Sequence, residues 1–206
     1  MSAGRRIVLA SGNAGKLAEL EALLAPWIER LIPQSFYFVP EADETGTTFI
    51  ENAIIKARNA AEHTGLPSIA DDSGLVIPAL DGEPGVRSAR WAGDGADDAA
   101  NNARLVDALL DLDAHERRAH YRCALVYLRH SNDPAPLIAQ GVWQGEVVET
   151  AAGSQGFGYD PHFYVSEHHR TAAELGRARR GSECLFPDQL RHDHPNHDQG
   201  EHALAC

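Results

Sequence analysis

The most informative stretch of this chain is Ile69-Ala70-Asp71-Asp72-Ser73-Gly74-Leu75. Two adjacent carboxylates close a short apolar run, and the Ser-Gly pair after them predicts a turn. At a strand end Asp71 and Asp72 alternate faces, so one can face the sheet interior and the other a cleft. Two such close negative charges need a cation beside them, and oxygen ligands of this kind suit Mg2+. Taken alone, the stretch fits a plain polar turn as well as a metal site.

A chain of 206 residues is long enough for one sizeable α/β domain or for two closely fused lobes. No apolar run is long enough to span a membrane, and the five apolar residues near the N-terminus do not make a signal peptide. Cys123, Cys184 and Cys206 are odd in number and widely spaced, so neither a disulfide framework nor a zinc site is expected. We therefore expect a cytoplasmic protein. The net charge of −12 argues against nucleic acid or an anionic membrane as partner.

Helices and strands are predicted to follow one another without an internal repeat or a low-complexity linker. Apolar periodicity and capping signals predict helices, and runs of apolar and β-branched residues predict strands. The predicted helices cover residues 14–25, 48–63 and 97–112, and the predicted strands cover residues 6–10, 121–129, 137–149 and 162–165. The two long strands are expected to pair through the loop at 131–136. This order favours an α/β fold with a mixed sheet.

The loop at residues 11–16 is a candidate phosphate site. It joins a predicted strand to a predicted helix, where free backbone N–H groups and the helix dipole favour an anion. Asn13 can cap this helix, and Lys16 adds a positive charge in its first turn. The spacing is not that of a Walker loop. Taken alone, the same residues are better explained by a capped helix with a surface lysine, because units of strand, turn and helix are common.

The segment from Glu44 to Ala57 is a second candidate. Thr48 and Glu51 have the spacing of a capping box, so a helix should begin there. Asn52 and Lys56 lie four residues apart and share a face of that helix, where an amide and an ammonium can meet phosphate. Glu44, in the loop before the helix, is free to point at a metal. A solvated amphipathic helix is the competing interpretation.

The third candidate is the glycine-rich segment from Gly156 to Pro161. Two glycines around an aromatic residue let the backbone approach a flat ligand closely. Phe157 or Tyr159 could stack on a nucleobase. An aromatic-anchored turn in a hairpin explains the pattern equally well.

Five segments in one order carry a resemblance to a known family. They are Ser11-Gly12-Asn13-x-x-Lys16, Glu44-Thr45-Gly46-x-Thr48-Phe49-x-Glu51-Asn52-Ala53-x-x-Lys56-Ala57, Ala70-Asp71-Asp72-Ser73-Gly74-Leu75, Pro84-Gly85-Val86-x-Ser88-Ala89-Arg90 and Gly156-Phe157-Gly158-Tyr159-Asp160-Pro161. Together they resemble the inosine/xanthosine triphosphate pyrophosphatases, which act on noncanonical purine nucleotides, from about residue 6 to residue 175. The resemblance implies an elongated, two-lobed α/β domain with a long, bent mixed sheet and a central nucleotide cleft.

The resemblance also implies an activity and a role for each site residue. The expected reaction is Mg2+-dependent hydrolysis of ITP, dITP, XTP or dXTP to the monophosphate and pyrophosphate, by a homodimer. Asp72 would be the catalytic base, and Glu44, Asp72 and Asp71 would hold the metal. The residues implied in substrate binding are Ser11, Gly12, Asn13, Ala14, Gly15, Lys16, Asn52, Lys56, Ser73, Phe157, Gly158, Tyr159, Asp160 and Arg180. Among them, Lys16 and Lys56 would clamp the polyphosphate and Phe157 would stack on the base.

The resemblance ends after Leu175, so residues 1–175 form the expected catalytic domain and residues 176–206 a divergent, disordered tail. The family pattern continues with a lysine and a Ser-His-Arg triplet, whereas here Arg180 is the nearest cation in register and the triplet is missing. A histidine-rich tail follows, with too little apolar periodicity for a rigid metal site. The alternative function is therefore a nucleotide-binding protein of the same fold with impaired or absent turnover.

Overall fold

The structure is a computed structural model, and it describes residues 6–11, residues 28–175 and, between them, Leu17, Leu20, Glu21, Leu24 and Pro26. In this part of the chain seven strands form one mixed sheet in the order β2-β1-β3-β4-β5-β6-β7. Numbered β1 to β7, they are Arg6–Leu9, Arg30–Pro33, Ser68–Val76, Arg118–Leu128, Leu137–Val147, Phe163–Val165 and Arg170–Thr171. Strand β1 pairs in parallel with β2 and β3, and the remaining neighbours are antiparallel. The predicted α/β class with a mixed sheet is confirmed.

The two helices with defined bounds are α1, Phe49–Thr64, and α2, Asp98–Leu109. The predicted capping box begins α1: the Thr48 side chain accepts from the Glu51 N–H, and the Glu51 carboxylate accepts from the Thr48 N–H. Gly65 ends it with a φ of 65°, a left-handed conformation that favours glycine. Of the helix predicted over 14–25, Leu17, Leu20, Glu21 and Leu24 are helical, and its other positions lie outside the described residues.

The turn predicted at Ser73-Gly74 is wrong, because β3 continues through both residues to Val76. Every residue of β3 has a partner on β4, so the sheet ladder outweighs the local turn preference of Ser and Gly. Close packing around β3 requires a glycine at position 74. A Cβ at this position would lie 3.0 Å or less from the Ser88 hydroxyl, the Gly85 carbonyl oxygen and the Phe49 ring. The two carboxylates therefore lie in mid-strand, where the backbone holds them rigidly.

The other predicted elements are confirmed with shifted ends. Strand β4 begins three residues earlier than predicted and pairs with β5 across the predicted 131–136 loop. Helix α2 begins one residue later, because Asp97 is its N-cap and accepts from the Ala100 N–H. Strands β5 and β6 are each slightly shorter than predicted. In the described part of the chain no helix is long and apolar enough to cross a membrane.

The packing of α1 against the sheet leaves a cleft beside β3. Three alanines of α1, Ala53, Ala57 and Ala60, are fully buried against Ala70 and other small or branched residues of β3 and β4. These small side chains let the helix approach the sheet closely. On the other side of β3, β1 ends at Leu9, opposite Ile69. Residues 70–73 therefore have no paired strand on that side among the described residues, and ligands can reach this part of the edge.

Candidate functional site

The ammonium of Lys56 lies between two carboxylates from different parts of the chain. Its Nζ is 2.8 Å from Oδ1 of Asp72, in mid-strand on β3, and 3.0 Å from Oε1 of Glu44, in the loop before α1. All three side chains are largely buried, with exposed fractions of 19% for Lys56, 11% for Asp72 and 22% for Glu44. The predicted metal-binding and phosphate-binding residues Glu44, Asp72 and Lys56 thus converge on one point.

Asn52 links the same loop and strand through its side-chain amide. It is fully buried, one turn before Lys56 on α1. Its Oδ1 accepts from the Gly46 N–H at 2.9 Å, and its Nδ2 donates to Oδ2 of Asp72 at 3.4 Å. A Cβ on Gly46 would lie 2.6 Å from the same Oδ1, so this approach requires glycine. The solvated helix face is therefore wrong for Asn52, because the amide is inside the protein.

Arg90 completes the ionic cluster and was not among the predicted site residues. Its Nη1 donates to Oε2 of Glu44 at 3.2 Å. It is the last residue of a short 3-10 helix, Gly85–Arg90, which is held to β3 because the Leu75 N–H donates to the Ser88 hydroxyl at 2.9 Å. The segment from Pro84 to Arg90 was already part of the family pattern. That pattern was the available signal for Arg90.

Burial and ion pairing oppose each other in the pKa values of this cluster. For Asp72, burial raises the pKa above its ordinary value, although the Lys56 ammonium opposes the shift. For Glu44, burial also raises the pKa, but the charges and hydrogen bonds of Lys56 and Arg90 outweigh it and lower the pKa. Burial lowers the pKa of Lys56, whereas Asp72, Asp71 and Glu44 raise it, and the net shift is upward. The cluster therefore contains a firmly charged ammonium and a carboxyl that accepts a proton more readily than usual.

A cleft of about 170 Å³ opens beside this cluster. Its lining residues are Ala10, Ser11, Gln34, Glu41, Ala42, Glu44, Lys56 and Asp71. Ser11, the first residue of the predicted phosphate loop, is thus brought to the same cleft as Asp71. Asp71 and Asp72 lie on opposite faces of β3, as their alternation requires, and Ser73 follows them half-buried. Gly12, Asn13, Ala14, Gly15, Lys16 and Arg180 lie outside the described residues.

The loop from Phe157 to Asp160 is held by hydrogen bonds that involve all four of its residues. The Gly158 N–H donates to Asp98 Oδ2 at 2.7 Å, and its carbonyl oxygen accepts from Asn102 Nδ2 at 2.9 Å. The Tyr159 ring is buried and its hydroxyl donates to the Ser88 carbonyl oxygen at 2.8 Å. The buried Asp160 carboxylate accepts from the Phe157 N–H at 3.1 Å.

Phe157 itself is 44% exposed. Of the two aromatic residues considered for base stacking, Phe157 is therefore the exposed one. Neither Asp98 nor Asn102, which hold this loop from α2, was among the predicted site residues. No sequence signal marked them, because their contacts with Gly158 span 60 and 56 residues.

The donor set at Glu44 and Asp72 suits a divalent cation. Carboxylate oxygens are the ligands that Mg2+ prefers, and Mg2+ commonly uses one or two carboxylates together with substrate phosphates. Among the described residues, no group of three or more His, Cys, Asp or Glu side chains could by itself hold a metal ion. A cation here would therefore depend on two carboxylates and on oxygens from water or the substrate.

Comparison with known proteins gives one consistent result. The model of the Ham1 family matches residues 7–182. A dITP/XTP pyrophosphatase from Thioalkalivibrio sulfidiphilus is 54% identical over 186 residues, which are 90% of this chain and 95% of the relative. The solved structure of a HAM1 protein from Coxiella burnetii has a TM-score of 0.83 at 49% identity, covering 91% of this chain and 95% of that one. The Staphylococcus aureus Ham1 protein has a TM-score of 0.79 at 34% identity over the same shares of the two chains.

Proposed function

The chain belongs to the Ham1 family, and from that premise we propose that it is an Mg2+-dependent pyrophosphatase of deaminated purine nucleoside triphosphates. The substrates are ITP, dITP, XTP and dXTP, and the products are the nucleoside monophosphate and pyrophosphate. This activity is supported by relatives named dITP/XTP pyrophosphatase, two of which are 54% and 53% identical to this chain over 90% and 82% of its length. The observation that carries it for this chain is the convergence of Glu44, Lys56 and Asp72 beside an open strand edge.

Asp72 is the proposed general base. Its carboxylate is rigidly placed on β3, and burial raises its pKa, which makes it a better proton acceptor. In this role it orients a water molecule and takes a proton from it as the water attacks the α-phosphorus, the bond from that phosphorus to the bridging oxygen breaks, and pyrophosphate leaves. Asn52 donates to one carboxylate oxygen of Asp72 from the helix side, so the carboxylate does not rotate. Glu44 and Asp72, with Asp71 beside them, would hold the metal, which when bound offsets negative charge on the phosphates.

Lys56 is the proposed cationic contact of the polyphosphate in an otherwise acidic protein. It lines the cleft together with Ser11, and the proposed phosphate loop continues from Ser11 to Lys16. Asn13 and Ser73 are proposed to hydrogen-bond the phosphate oxygens. A lysine ammonium and backbone N–H groups at a strand-to-helix turn are the usual means of neutralising phosphate charge. These contacts would orient the bond between the α- and β-phosphates towards Asp72.

Phe157 is the proposed stacking surface for the base, since its ring is exposed while the residues after it anchor the loop. Selection of a 6-keto purine requires a donor aimed at O6, because adenine presents an amino group there. Two opposed donors leave a polar group unpaired, at a cost of roughly 1–3 kcal/mol. Arg180 is proposed as a contact on the nucleotide in place of the family's lysine.

Pyrophosphate release from ITP, XTP, dITP, ATP and GTP in the presence of Mg2+ tests this function. We expect turnover of the three deaminated nucleotides well above that of ATP and GTP. Binding of ITP without turnover, seen as a thermal shift, would instead favour the alternative of an impaired nucleotide-binding protein. If ITP is neither bound nor hydrolysed, the chain retains only the fold of the family.

The assembly and the division of the chain are also part of the proposal. The family resemblance supports a homodimer in the cytoplasm, with a catalytic domain over residues 1–175 and a divergent tail over 176–206. Light scattering after gel filtration measures the assembly directly. A chain truncated after Leu175 tests the tail, and we expect it to retain the fold but to bind the nucleotide more weakly, because Arg180 is removed.

A further inference from the structure

Lys56 occupies the point where the proposed metal-binding carboxylates converge. Its ammonium is within 3.0 Å of an oxygen of both Glu44 and Asp72. Asp71, on the cleft side, also acts on its charge. Two carboxylates thus contact one ammonium, and Arg90 reaches only the second oxygen of Glu44. In this arrangement Lys56 does for these carboxylates what a bound cation would do.

The choice of lysine at this position is informative because the chain hardly uses lysine elsewhere. Of its eighteen Lys and Arg residues, only Lys16 and Lys56 are lysines. Guanidinium is planar and binds one carboxylate through two parallel hydrogen bonds, whereas ammonium is a compact charge on a flexible stem. A compact charge can lie between two separate carboxylates and can leave them by rotation of its side chain. Arginine would be harder to displace.

We propose that Lys56 is a resident counter-ion that exchanges with the divalent cation. In the free protein it neutralises Glu44 and Asp72, and it leaves them for the phosphates when a metal–triphosphate complex enters the cleft. This inference rests on the proposed function for the identity of the ligand. It goes beyond a phosphate clamp because it assigns Lys56 a role before the substrate arrives.

Lys56 and the divalent cation compete for the same carboxylate oxygens, so the affinity for the metal depends on whether the triphosphate is present. A cation that binds without nucleotide must displace Lys56, which then has no partner in the partly buried cluster. A cation that arrives with a triphosphate brings phosphate oxygens that accept the displaced ammonium. Metal and triphosphate therefore bind with positive coupling, and the protein alone binds the metal weakly.

Titration of the nucleotide-free protein with Mn2+, with free Mn2+ followed by electron paramagnetic resonance, tests the exchange. Lys56→Met removes the competing charge and should tighten Mn2+ binding by on the order of tenfold or more. Lys56→Arg should bind Mn2+ no more tightly than the wild type. Arg90→Met, which frees only the outer Glu44 oxygen, should show a smaller gain than Lys56→Met. Arg58→Met, an exposed change of equal charge on α1, should leave the affinity unchanged.

Equal gains for Lys56→Met and Arg58→Met would overturn the proposal, because the effect would then be one of net charge alone. A Lys56→Met protein that binds Mn2+ as weakly as the wild type would overturn it as well. Circular dichroism checks that each variant is folded, and Lys56→Gln replaces Lys56→Met if the latter is not, with the same expectation. Since no nucleotide is present, these outcomes are independent of the pyrophosphate-release assay, which alone decides the proposed function.

Discussion

Replacing Asp72 by asparagine separates chemistry from binding in the proposed site. The introduced amide keeps the size of the side chain but cannot accept a proton at neutral pH and is a poorer ligand for Mg2+. Loss of a general base typically lowers kcat by 10²–10⁴-fold, or about 2.7–5.4 kcal/mol in the barrier. We therefore expect Asp72→Asn to lose at least about 99% of the turnover of XTP.

The same change has a cost in stability that can be worked out from its contacts. If the new amide oxygen accepts from Lys56, its NH2 group faces the Nδ2 group of Asn52. Asn52 cannot reverse its amide, because its oxygen accepts from the Gly46 N–H. One buried donor is then left unpaired, at a cost of roughly 1–3 kcal/mol. For a chain of this size, Tm should fall by about 2–4 °C for each kcal/mol.

Steady-state pyrophosphate release, calorimetric XTP binding and a thermal melt together measure both effects. Asp107→Asn, an exposed change of the same charge on α2, serves as the matched control. We expect it to retain wild-type turnover and Tm. If Asp72→Asn kept more than about a tenth of the wild-type kcat, it would refute the assignment of Asp72 as the base.

Three further changes test other parts of the molecule. Gly74→Ala should destabilise the protein by about 1–3 kcal/mol through overpacking, measured by urea unfolding, and an unchanged midpoint would contradict the packing around β3. Phe157→Ala should raise KM for ITP by roughly tenfold with a smaller effect on kcat. Leu110→Ala, a change at another exposed apolar residue, should alter neither constant. If both variants changed KM equally, Phe157 would not be part of the base site. Hydrogen bonds from Arg129 lower the pKa of Asp133, so the charged carboxylate stabilises the fold above about pH 4 and this contribution is lost as the pH falls. The difference in free energy of unfolding between wild type and Asp133→Asn should therefore shrink between about pH 6 and pH 3. A difference that does not depend on pH would exclude the ion pair between Arg129 and Asp133.

Local signals in the sequence were sufficient for the helix that carries the site. The Thr48–Glu51 capping box and Gly65 fix both ends of α1, because each makes its contact within one helical turn. The turn expected at Ser73-Gly74 was wrong, because β4 and the 3-10 helix that ends at Arg90 are remote in sequence and their packing decides that position.

The site itself could be predicted in part. The ordered family pattern named Glu44, Lys56 and Asp72, and the structure brings them together. The pattern could not give the partners of each side chain. Asn52 was expected to face phosphate, yet its amide is buried and joins Gly46 to Asp72. Such pairings depend on how a loop, a helix and a strand meet in three dimensions, which periodicity and propensity do not encode.

Because lysine is scarce in this chain, a reagent that modifies amines can be used to follow Lys56 without mutagenesis. Only two side chains in the chain carry a primary amine. Acylating reagents attack the neutral amine, and the carboxylates around Lys56 raise its pKa, so its acylation should be slow in the resting protein. Peptide mass spectrometry can therefore follow the rate of acetylation of Lys56 against that of Lys16 as an intrinsic reporter of this pocket. A small-molecule screen could use the same unmodified protein, because the arginines do not react.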